Sequence, residues 1–85
     1  MAYNGWKNWQ TWQVPLWLNN DEPMYRITRD FMRRTPTFTA ANVKEFVLTL
    51  MPNGTPDFKS PTEYDQVDWA EIAENWNDEK RTEGD

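Results

Sequence analysis

Proline divides this chain. Five of its six prolines lie in polar breaks, at Asn19-Asn20-Asp21-Glu22-Pro23, Thr35-Pro36-Thr37, Pro52-Asn53-Gly54-Thr55-Pro56 and Ser60-Pro61-Thr62-Glu63. Proline lacks a backbone N–H and biases the residue before it away from helical geometry, so a regular element is expected to end or begin at each break. The segments between them are short and carry apolar residues at three- and four-residue steps. A chain of 85 residues has room for one core and no second domain. The expected fold is therefore all-α, a small bundle of three to four short helices, with one domain over residues 1–79 and a frayed tail at 80–85.

The first segment, from Trp9 to Leu18, follows Asn8 as its cap and places Trp9, Trp12, Leu16 and either Val14 or Trp17 near one stripe. Pro15 lies inside it, where it removes a hydrogen bond and crowds the carbonyl of Thr11, so a kink or break is expected near residues 11–14. A second helix is capped by Asn20 or Asp21, carries Pro23 in its first turn and runs to about Arg34, with Met24, Ile27, Phe31 and Met32 facing inwards. The third, capped by Thr37 or Thr39, has Val43, Phe46, Val47 and Leu50 at helical spacing. Ser60-Pro61-Thr62-Glu63 predicts a short helical turn with a capping box. In the last helix Asp68 is the cap, Glu71 reaches back to it, Val67 and Ile72 form a hydrophobic staple, and Trp69, Ile72, Ala73 and Trp76 make the apolar stripe. Glu71, Glu74, Asn75 and Asn77 are expected to face outwards.

No cysteine is present to staple so small a domain, so its stability must come from apolar contacts, with six tryptophans as the largest source. The lack of cysteine and histidine also removes thiolate nucleophiles, imidazole bases and Cys/His zinc sites. Asp57, Asp65, Asp68 and Glu71 are the carboxylates one would consider for a hard metal or an acid/base pair, but capping and solvation account for them, and no calcium-loop spacing is present. No catalytic residue, metal or cofactor is expected, and the chain does not read as an enzyme. With no apolar run of signal-peptide or membrane-spanning length, a cytoplasmic location is expected.

Charge is unevenly spread. Residues 57–85 hold ten acids against Lys59, Lys80 and Arg81, a balance of −7, whereas residues 1–34 carry +2. Such an acidic end repels nucleic acid and attracts basic protein surfaces, so direct DNA or RNA binding is not expected. Arg26, Arg29, Arg33 and Arg34 could contact phosphate or pair with the acidic end of the same molecule or of a neighbour, and the pairing is the expectation. Two surfaces are candidates for a partner: the acidic face of the last helix, represented by Glu71, Glu74, Asp78 and Glu79, and the aromatic N-terminal block, where Trp6 and Trp9 are the least committed to the core.

The opening Asn4-Gly5-Trp6-x-Asn8-Trp9-x-Thr11-Trp12-x-Val14-x-Leu16-Trp17-Leu18-x-Asn20-Asp21-Glu22 resembles a family of short proteins found in tailed-phage and plasmid genomes, as does Val67-Asp68-Trp69-x-Glu71-Ile72-Ala73-Glu74. Together these blocks cover about a third of the chain. The resemblance implies a phage-encoded accessory protein acting in the infected host cell and brings no activity or site residue with it. The resulting expectation is a protein that binds and inhibits a host protein, such as a nucleic-acid-handling or defence complex, through an acidic face that imitates nucleic acid. The alternative is a virion or assembly component.

Overall fold

Asn8 starts the first helix. Its backbone is extended, and its Oδ1 accepts from the Thr11 N–H at 2.9 Å and from Thr11 Oγ1 at 2.6 Å, satisfying one of the amides a helix N-terminus leaves open. The computed structural model describes residues 3–84, with side chains through Arg81. Helix α1 spans Trp9–Asn20 and continues through Pro15, so the break expected at residues 11–14 does not occur. Pro15 is buried together with Val14 and Leu18, and that burial offsets the one backbone hydrogen bond that proline forfeits.

A single residue, Asp21, separates α1 from α2 (Glu22–Arg34). Its N–H closes α1 on Trp17 O, and its carboxylate caps α2 by accepting from Met24 N at 3.2 Å. Helix α3 (Ala40–Leu50) begins with a reciprocal box in which Asn42 N donates to Thr39 Oγ1 and Thr39 N to Asn42 Oδ1. A 3₁₀ turn at Pro61–Gln66 is capped by Ser60, while Glu63, expected to close the box there, instead accepts from Gln10 Nε2 at 3.0 Å. Helix α4 is Trp69–Gly84. It therefore passes the boundary expected near residue 79. Lys80 helps to hold this end, since its ammonium donates to Met32 O at 3.0 Å and to Thr35 O, and lies 5.4 Å from the Phe38 ring. The final residue, 85, lies outside the described residues. Among the described residues no helix is long and apolar enough to cross a membrane.

The helices pack mainly in two pairs, α1 on α2 and α3 on α4, with α1 also touching the 3₁₀ turn and α4. Trp76 is 5% exposed and makes edge contacts with Phe38 at 5.5 Å and with Phe31 and Phe46 at 6.4 Å, the last two being stacked at 4.1 Å. As expected, Trp69, Ile72, Ala73 and Trp76 form the inward stripe of α4. On α1 the expected stripe is displaced, with Val14 its one buried member. The buried residues are Thr11, Gln13, Val14, Pro15 and Leu18, and Trp9, Trp12, Leu16 and Trp17 are only partly covered. This helix is apolar on nearly every side, so its periodicity could not single out a face. On α2, Thr28 and Met32 are buried while Ile27 is 46% exposed. The threonine can take an inward position because its Oγ1 donates to Met24 O at 2.7 Å.

Tyr64, at the centre of the 3₁₀ turn, donates its buried hydroxyl to Met51 O at 2.6 Å. Burial pushes its pKa up to about 12 from 10.0. A raised pKa means that the fold favours the neutral phenol. The stability it contributes is complete below the unfolded value near 10 and is lost as pH rises from there through about 12. Denaturant titrations should therefore show the protein weakening steeply across that window and Tyr64→Phe weakening much less. At neutral pH the substitution should cost no more than about 1 kcal/mol, because Gly54 N also donates to Met51 O.

Candidate functional site

Asn4-Gly5 makes a reversal at the start of the chain. Asn4 has φ 49° and Gly5 φ 89°, and Tyr3 and Trp6 exchange backbone hydrogen bonds at 2.5 and 2.8 Å. Asn-Gly favours a two-residue turn with positive φ at both positions, a signal present in the sequence but masked by the tryptophans around it. The turn is held by the Tyr3 ring on Trp12, 4.9 Å between centroids, and by Lys7 N, which donates to Glu71 Oε1 at 2.9 Å.

Behind the turn, three side chains that had not been singled out as a group tie the first helix to distant segments, two of them to the start of α4 and one to the loop at Thr55. Thr11 Oγ1 accepts from Asp68 N at 2.9 Å, and Asn8 Nδ2 donates to Gln66 O at 2.8 Å. Buried Gln13 accepts from Thr55 Oγ1 and Trp17 Nε1. The capping box expected at α4 is thus only half formed. Asp68 Oδ1 accepts from Glu71 N at 3.1 Å, but Thr11 takes the Asp68 amide and Glu71 turns to Lys7. Asn77, expected to face outwards, instead clasps the backbone of Phe38, accepting from its N–H and donating to its carbonyl, both at 2.9 Å.

These ties set Trp6 between two hollows. One is a cleft of about 250 Å³ between the turn, α1, α2 and α4, with Trp6, Pro15, Leu18, Tyr25, Met32 and Trp76 as its apolar lining and Asn19, Thr28, Arg29, Asn75 and Glu79 as its polar lining. Arg29 and Glu79 form an ion pair there at 2.8 Å, and the Arg29 guanidinium lies 6.0 Å from the Tyr25 ring centre. The other is a shallower hollow of about 450 Å³, lined by Asn4, Gly5, Trp6, Glu71, Glu74, Asn75 and Asp78. Glu71, Glu74 and Asp78 fall at i, i+3 and i+7 on α4 and so share one face.

Of the residues expected to meet a partner, Trp6, Glu71, Glu74 and Asp78 come together in this second hollow. Glu79 opens into the first, bound to Arg29. Trp9 lines neither hollow, and its ring packs on Phe58 at 5.8 Å. Among the described residues, Arg29 is the one of these four arginines whose ion pair reaches α4. Arg26 pairs with Glu22, and Arg33 and Arg34 with Asp30, all within α2. Asp57, Asp65, Asp68 and Glu71 do not form one cluster: Asp57 accepts from Trp17 Nε1 at 3.3 Å, Asp65 is exposed, and only Asp68 and Glu71 are neighbours, at the start of α4. Among the described residues no three potential metal ligands gather.

The chain belongs to a family of unknown function, DUF7249, whose model matches residues 1–82. No curated protein and no solved structure matches it.

Proposed function

We propose that this member of the family is a binding protein, a phage-encoded accessory that engages and inhibits a host protein through the face where α4 meets the Tyr3–Trp6 turn. The observation that carries the reading is the carboxylate stripe itself. Glu71, Glu74 and Asp78 repel one another at helical spacing, a cost of a few tenths of a kcal/mol per pair. Lys7 N on Glu71 and Arg81 on Asp78 relieve part of it. The Glu74 carboxylate is exposed and has no hydrogen-bond or ion-pair partner among the described residues. A stripe that the core does not require, next to a half-buried tryptophan, suits encounter with a basic surface. The resemblance to tailed-phage and plasmid proteins supports the choice of a host protein as target. A row of carboxylates along about 10 Å of helix can imitate phosphates, which favours a nucleic-acid-handling or defence complex.

The test is affinity capture from host lysate followed by association kinetics on the captured partner. Replacing Glu74 with Gln and Asp78 with Asn should slow association about tenfold at low salt and move the melting temperature by no more than about 2 °C, because exposed charges govern encounter far more than stability. The wild-type rate should fall with added salt, and free DNA should compete for a partner that handles nucleic acid. Unchanged association in the double variant and at high salt would leave the stripe as solvation alone and refute the proposal. Capture of a second copy of the chain as the main partner would favour an assembly role instead.

A further inference from the structure

We propose that Asn4 is a site of spontaneous deamidation, and that the fold opens it to this chemistry while protecting Asn53. The inference is independent of the binding reading above, since it concerns reaction with water alone.

Asparagine is followed by glycine twice in the chain, at Asn4-Gly5 and Asn53-Gly54. In such a pair the main-chain nitrogen of the glycine can attack the asparagine Cγ, because no β-carbon hinders its approach. The new N–Cγ bond closes a five-membered imide ring. The Cγ–Nδ2 bond breaks, and the side-chain nitrogen leaves as ammonia with the proton that the glycine nitrogen gives up. Water then opens the ring at one carbonyl or the other, leaving aspartate, or an isoaspartate whose main chain runs through the side-chain carboxyl. The balance is one water in and one ammonia out, with no change of oxidation state.

The attacking nitrogen is free at one pair and engaged at the other. Among the described residues the Gly5 N–H and the Asn4 side chain have no hydrogen-bond partner, and nothing lies within 4 Å of a β-carbon placed on Gly5. Gly54 N donates to Met51 O at 3.1 Å, and Phe58 Cδ2 lies 2.8 Å from where a β-carbon on Gly54 would be. Ring closure requires the backbone to leave its turn, because the nitrogen must swing towards Cγ. At Asn4 that breaks the Tyr3–Trp6 hydrogen bonds and moves a tyrosine that is 41% exposed. At Asn53 it pulls on Met51, Thr55 and Phe58, all buried. Opening a few exposed contacts costs much less than opening that disturbs the core.

The product alters the acidic face. Asn4 and Gly5 line the hollow that Glu71, Glu74 and Asp78 share. Aspartate at residue 4 therefore adds a carboxylate to that hollow, and isoaspartate lengthens the main chain within the turn that carries Trp6.

The test is to age the folded full chain in warm, mildly alkaline buffer and to follow both asparagines by mass spectrometry. Tryptic cleavage after Lys7, Lys44 and Lys59 puts each pair in its own peptide, residues 1–7 and 45–59. Asn4 should convert about tenfold faster than Asn53 in the folded chain, and the two rates should converge in guanidinium, where the difference in opening cost vanishes. Labelling with an isoaspartyl methyltransferase should mark the first peptide. Asn4→Gln should abolish its conversion and leave the rate at Asn53 unchanged. Equal rates in the folded chain, faster loss at Asn53, or no change at Asn4 by the time the unfolded chain has half reacted would each overturn the proposal.

Discussion

Trp76→Ala should leave the chain largely unfolded at room temperature. The side chain is 5% exposed, and its ring edges onto Phe31, Phe38 and Phe46, which come from α2, the segment before α3, and α3 itself. Truncating a buried tryptophan typically costs about 3–5 kcal/mol through lost transfer energy and the cavity left behind. A chain of this size commands a total stability of only about 4–13 kcal/mol at the usual 0.05–0.15 per residue, and its small core places it towards the lower end. Ile72→Ala, at a fully buried position one turn earlier, should cost about 2–5 kcal/mol. Asp68→Ala, which removes the acceptor for Glu71 N, serves as the mild reference at about 1 kcal/mol. Thermal melts followed by circular dichroism at 222 nm would rank the three. A Trp76→Ala protein that melts with the parent would mean that the aromatic cluster is not the keystone of the core.

Gly54→Ala should be the most damaging single-methyl addition in the loops. Gly54 has φ +98°, and a β-carbon built there would lie 2.8 Å from Phe58 Cδ2 and 3.0 Å from Phe58 Cβ. Phe58 has little freedom to withdraw, because its ring is held between Trp9 at 5.8 Å and Tyr64 at 5.3 Å. Backbone strain of about 1–3 kcal/mol adds to an overpacking cost of similar size, so the melting temperature should fall by about 10 °C or more. Gly5→Ala isolates the strain alone. Its φ is +89°, but nothing lies within 4 Å of the added carbon, and the fall should be less than half as large. Equal losses at the two glycines would show that contact with Phe58 contributes nothing.

The candidate site was legible in part. Glu71, Glu74 and Asp78 could be placed on one face of α4 from spacing alone, because three- and four-residue steps are a property of any helix. Trp6 could not be set beside them. Its position depends on an Asn4-Gly5 reversal, on the Lys7 to Glu71 hydrogen bond and on the Thr11 to Asp68 tie, two of which join residues more than fifty positions apart. The same long-range ties redirected residues whose local pattern pointed elsewhere: Glu71 to Lys7, Glu63 to Gln10 and Asn77 to Phe38.

What the sequence by itself determined is that the chain is helical and, to within a residue or two, where its helices begin. Asn8, Asp21, Thr39 and Asp68 each accept from an amide three residues on, and Pro36 and Pro52 follow the ends of α2 and α3 by two residues. These interactions close within one turn and need nothing else from the chain. On α4, where polar residues leave a single apolar stripe, the buried face followed as well. Only the tertiary structure decided the buried face of α1, because tryptophan or an aliphatic residue lies on nearly every side of that helix and any face could have turned inwards. The loop at residues 55–58, the Tyr3–Trp6 turn and α2 each cover part of it, leaving Thr11 and Gln13 buried with hydrogen-bond partners and the tryptophans at the margins. A buried polar side chain requires a partner from elsewhere in the fold, and local pattern contains no information about which distant residue will supply it.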